Sequence, residues 1–157
     1  MKYTCKLVIN VAREPMVKLF DDPDNMLKWM EGLQSFEHVS GTPGEPGATS
    51  RLTFARDNGT TFDMIETLTR YNLPDEISGT YETEGVRNVI ENWFVEDGPN
   101  ATQWIAHNVF EFGGVMRVAA WFMRPLFKRQ SLKIMESFKV FAESTALAGE
   151  DTSDGDE

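Results

Sequence analysis

The chain has 157 residues, a formal net charge of −10, 41% hydrophobic residues and 11% aromatics. That length suits one domain with a sizeable core, and that composition is of a folded protein rather than a disordered one. An acidic surface repels phosphate backbones and anionic headgroups, which argues against nucleic acids and membrane surfaces as partners.

No apolar run approaches the roughly 20 residues a membrane helix needs, so membrane insertion is not expected. The opening residues Met1 to Lys6 lack the apolar core of a signal peptide, which points to a cytoplasmic protein. Cys5 is the only cysteine, so no internal disulfide forms, in keeping with a reducing compartment. It shares the apolar side of a strand with Leu7 and Ile9 and reads as a small buried hydrophobe. Five acids lie in the stretch 149–157, leaving −5 for the rest. With nothing apolar to anchor it, that stretch is expected to be a disordered acidic tail after a single domain over 1–148.

Tyr3, Cys5, Leu7, Ile9 and Val11 alternate with polar residues, the signature of a half-buried strand. Ala12-Arg13-Glu14-Pro15 then opens a helix, since proline suits a first turn. Asp22-Pro23-Asp24 stops it, and Asp24 is placed to cap a second short helix carrying Met26, Leu27, Trp29 and Met30, ended by Gly32.

Strands follow over 33–40, 50–56, 61–71, 77–83, 86–96 and 101–112. The loop 41–47 holds three glycines and two prolines. Asn58-Gly59 suggests a type I′ hairpin. Seven strands joined by tight turns imply an antiparallel meander, because parallel crossovers need a dozen or more residues. Beyond Gly113-Gly114, Val115, Val118, Ala119, Phe122, Leu126, Ile134, Phe138 and Phe141 recur at helical spacing. Pro125 falls inside that helix, which predicts a kink there or a short helix to about Met123 followed by a longer one.

This order resembles the START-like (SRPBCC) superfamily, and most of all its bacterial polyketide cyclase/dehydrase and lipid-transport-like branch. The features that carry the resemblance are the strand Tyr3–Val11, the helix near Pro15, Trp29, the loop 41–48 before a strand with Arg51, and the terminal helix ending Phe138-Lys139-Val140-Phe141. It implies an α+β helix-grip fold. A seven-stranded curved antiparallel sheet would wrap a long C-terminal helix, with two short helices between strands 1 and 2. The superfamily hosts carriers, cyclases and chaperone activators, so the fold alone leaves function open.

His38 and His107 are the only histidines, with no metal-ligand spacing. There is no nucleophile elbow, no dinucleotide fingerprint and no P-loop, so no cofactor is called for. What remains is the set of strand residues that could face a cavity between sheet and helix. Asn88, Asn92, Trp104 and Asn108 sit on one parity of the last two strands, where buried asparagines would need partners. Trp29, Phe54, Met64, Tyr81, Phe122 and Leu126 complete the candidate wall. The opposite parity would turn the asparagines outward. Acid–base candidates are Asp63, Glu66 and Glu91, with Tyr81 as a donor.

Three functions follow. The first is binding of a small hydrophobic or amphipathic, lipid- or polyketide-like molecule. The second is a polyketide cyclase or dehydratase. The third is a protein-interaction domain like the chaperone activators. Ligand identity and oligomeric state are not readable from these residues.

Overall fold

The computed structural model describes residues 1–114 and 116–153, with side chains described for 1–114 and 122–149. Its elements are β1 (Lys2–Ile9), α1 (Arg13–Phe20), α2 (Pro23–Trp29), β2 (Leu33–Ser40), β3 (Thr49–Ala55), β4 (Thr61–Asn72), β5 (Glu76–Thr83), β6 (Val86–Glu96), β7 (Thr102–Phe112) and α3 (Met116–Ser153). One antiparallel sheet runs in the order β1-β7-β6-β5-β4-β3-β2. β7 returns to pair with β1, so the chain's first and last strands are neighbours. Register shifts between β2 and β3 and between β4 and β5 bend the outer half of the sheet.

Alternation decides which face is buried. Tyr3, Cys5 and Ile9 of β1 face inward, as do Asn88, Asn92 and Phe94 of β6 and Thr102, Trp104, Ala106 and Asn108 of β7. α3 lies across β1 and β7 and meets α1 and α2. Met135, Phe138 and Ala142 are the buried residues among those of α3 whose side chains are described. The Phe138 ring is met by Phe20 at 5.3 Å, Trp29 at 5.0 Å and Trp104 at 5.7 Å, all near-perpendicular edge contacts. Ser131, polar but on the same side, exchanges a 2.9 Å hydrogen bond with the Tyr3 hydroxyl.

Several local expectations change. The α2 cap is Asp22, not Asp24: its carboxylate accepts from the Asp24 N–H at 2.9 Å, with Pro23 at the first helical position. The 57–60 hairpin is not type I′, because only Gly59 has positive φ. Asn58 instead accepts from the Thr60 N–H at 3.0 Å through its side chain, while Gly59 takes the left-handed position alone. α3 is assigned as one unbroken helix through Pro125, so the expected short-then-long division does not occur. Of its anticipated apolar stripe, Phe122 and Leu126 are 74% and 60% exposed, whereas Ile134, Phe138 and Phe141 pack inward. Val115 lies outside the described residues, and the side chains of Val118 and Ala119 are not described. The helix continues past 148 to Ser153, into the acidic stretch; residues 154–157 lie outside the described residues. No described helix is long and apolar enough to cross a membrane.

Candidate functional site

The hydrophobic core cluster draws its buried strand residues from β1, β7 and β6. Beyond it, β5, β4, β3 and β2 curve under α1 and α2 and leave a cleft of about 470 Å³. That volume is in the range of small-molecule sites, roughly 300–1,000 Å³. Phe20, Met26 and Trp29 from the helical side face Ile77, Leu68 and Phe36 from the sheet. The described residues that line this cleft come from the sheet, from α1 and α2, and from the loops that flank them.

The polar groups sit on the strand floor. Ser50, Glu66 and Tyr81 are consecutive cross-strand partners on β3, β4 and β5, so all three point the same way. Tyr81 stands directly across from Glu66, and the two side chains interact electrostatically. Burial pushes Glu66 from 4.5 up to about 7, opposed by the interaction with Tyr81. Tyr81 is itself pushed well above its usual range, by burial first and then by the facing carboxylate. Oε2 of Glu66 is buried without a partner, and so is Nε1 of Trp29, a residue only 5% exposed. A buried polar atom without a partner is uncommon in a folded protein and marks a place where a ligand or water can complete it.

Gly79 keeps the floor open. A Cβ there would stand 3.1 Å from the Thr67 carbonyl oxygen. At the mouth, the Tyr71 hydroxyl donates to Asp21 and ties β4 to the end of α1. Asp21 is raised by burial, partly offset by this bond, and Tyr71 is pushed up to about 12. His38 Nε2–H donates to the Gly41 carbonyl at 2.9 Å, so that ring edge is engaged.

Trp29, Tyr81 and Asn92 of the expected wall line this cleft. Trp104 lies in the aromatic core behind it and donates from Nε1 to Asn92 Oδ1 at 2.9 Å. Asn88 donates to Asn108 at 3.2 Å, both buried, and Asn88 stands opposite Tyr81. Phe54 and Met64 lie on the same sheet side as Ser50 and Glu66 but toward the β3–β4 hairpin, outside the cleft lining. Phe122 is exposed on α3 and is not among the lining residues. Of the acid–base candidates, Asp63 is exposed and accepts from Thr53, and Glu91 is on the opposite sheet face from Asn92. Phe36 and Ser50 were not anticipated, because the inward parity of β2 and β3 has no strong alternation to mark it, and Phe20, on α1, reads from sequence only as part of that helix's apolar side. Among the described residues no three His, Cys, Asp or Glu side chains gather as a metal site.

Residues 2–139 match the family model for polyketide cyclase / dehydrase and lipid transport. The chain belongs to this family. Its fold is that of the START-like superfamily, shared with solved structures of low sequence identity. The Ara h 8.0201 structure aligns with a TM-score of 0.73 at 15% identity, over 92% of this chain and 98% of the other. TTHA0849 from Thermus thermophilus aligns with a TM-score of 0.74 at 12% identity, over 92% and 99%. The ZhuI aromatase/cyclase from a Streptomyces species (strain R1128) aligns with a TM-score of 0.73 at 12% identity, over 91% and 93%. No curated protein matches the chain in sequence.

Proposed function

We propose that this family member binds a small amphipathic molecule, polyketide- or lipid-like in its apolar body, in the cleft between α1–α2 and strands β2–β5. The observation that carries this reading is the pairing of an apolar, aromatic wall with two buried polar atoms that have no partner among the described residues, Glu66 Oε2 and Trp29 Nε1. Desolvating both without a partner is costly, about 1–3 kcal/mol each, and a ligand that engages them recovers that cost. We place the protein in the cytoplasm, in keeping with its buried, unpaired Cys5.

The test is native mass spectrometry of freshly purified protein against its denatured mass, with thermal shifts across an apolar library. An adduct lost on denaturation, or a saturable rise in Tm, is the expected result. A clean mass with no shift by any compound counts against the cleft as a binding site.

A second reading is favoured by one group. Glu66 titrates near neutrality with Tyr81 facing it, which suits a general acid–base for cyclisation of a bound polyketone. Under it, Glu66→Gln keeps binding and loses turnover of a poly-β-ketone mimic; unchanged turnover removes the reading.

A further inference from the structure

The cleft's charge inventory is one-sided. Among its described lining residues there is no lysine and no arginine. The acids are Glu66 on the floor and Asp21 at the mouth. The other titratable groups facing it are Tyr81 on β5, Tyr71 on β4 and His38 on β2; α2 contributes only apolar side chains and the Trp29 indole. The Asp21 carboxylate already accepts from Tyr71, and His38 donates to a backbone carbonyl. Glu66 Oε2 and Trp29 Nε1, on residues that line the cleft, are buried without a hydrogen-bond partner among the described residues.

We infer that Glu66 is the specificity-determining residue of this cleft, admitting an uncharged ligand that carries an O–H or N–H donor and rejecting carboxylates and phosphates. This rests on the binding reading above. An anion entering here meets a carboxyl group in a low-dielectric pocket with no cation among its described lining residues, where like-charge repulsion is weakly screened. A neutral hydroxyl finds an acceptor at Glu66, and a carbonyl or hydroxyl oxygen finds a donor at Trp29. Free fatty acids and anionic phospholipids are thereby separated as occupants from neutral hydroxylated ring systems. Protonation of Glu66 weakens the filter, and its carboxyl is pushed up to about 7, so selection is strongest in mildly alkaline solution.

The experiment is calorimetric titration at pH 8 with 2-naphthol and 2-naphthoate, which share a ring system and differ in charge. The wild-type protein is expected to bind the naphthol at least about tenfold more tightly. In Glu66→Gln, which keeps a hydrogen-bonding side chain of the same shape, the gap is expected to shrink to about threefold or less through tighter naphthoate binding. Naphthoate binding as tightly as naphthol to the wild type overturns the inference while leaving the cleft as a site. A gap unchanged in Glu66→Gln overturns the assignment to that residue. No binding of either compound removes the binding reading itself, and this inference with it. The wild-type ratio needs no variant, so it stands as a test even if Glu66→Gln folds poorly.

Discussion

Glu66 and Tyr81 stand directly opposite each other on β4 and β5, and the Glu66 carboxyl has its Oε2 buried without a hydrogen-bond partner among the described residues. This pair makes the cleft floor both polar and pH-sensitive.

The first consequence is for stability. Glu66 carries a folded-state value of about 7 against 4.5 when unperturbed. A raised carboxyl favours the protonated fold, so its contribution is fully present below about 4.5 and is lost as pH rises through about 7. Replacing it with glutamine removes that loss. Glu66→Gln should match the wild type in acid and exceed it by up to about 3 kcal/mol above neutrality. Denaturant melts of both proteins across that range check the trend.

Ser50 faces Glu66 across β3 and β4 and lines the cleft without being buried in the core. Ser50→Phe should fill the space and abolish ligand binding, while the far-ultraviolet circular dichroism stays unchanged. Retained affinity would move the ligand elsewhere.

Phe138 is the hub of the core, fully buried and ringed by Phe20, Trp29 and Trp104. Phe138→Ala should cost about 3–5 kcal/mol in urea unfolding, through lost burial plus the cavity left behind.

Asn92 holds the core to the cleft, accepting from the Trp104 indole at 2.9 Å. Asn92→Ala leaves that buried N–H without a partner and should cost about 1–3 kcal/mol. Tryptophan emission should shift as well, since the Trp104 indole loses its polar contact.

Much of the fold was legible because its signals are local. Alternation in β1 marked its buried face, while both parities of β6 and β7 stayed open; the structure buries the one that carries Asn88, Asn92, Phe94, Trp104 and Asn108. The hairpins were marked by glycine-rich turns, though Asn58-Gly59 did not reveal its turn type, because Asn58 uses its side chain rather than a positive φ.

The phase of α3 was harder. A stripe through Phe122 and Leu126 fits helical spacing, but the packed face runs through Phe127, Ser131, Met135, Phe138 and Ala142. Ser131 hides that face, since a serine bonded to Tyr3 does not look apolar. The cleft was only partly legible. It is set by the bend of β2–β5 under two short helices, a tertiary relationship that no single strand's pattern carries. Glu66 stood out as an acid–base candidate, but the cleft it lines is completed by Phe36, Met26 and Trp29, which arrive from elsewhere in the chain.

The central claim is that the cleft under α2 is the ligand site, and the most direct measurement is a two-dimensional amide and indole NMR titration with 2-naphthol. The Trp29 indole N–H signal is expected to move together with the amides of Ser50, Glu66 and Gly79, while the Trp104 indole, already bonded to Asn92, moves little. Shifts confined to the exposed stretch of α3 around Phe122 and Leu126, with Trp29 unmoved, would contradict it.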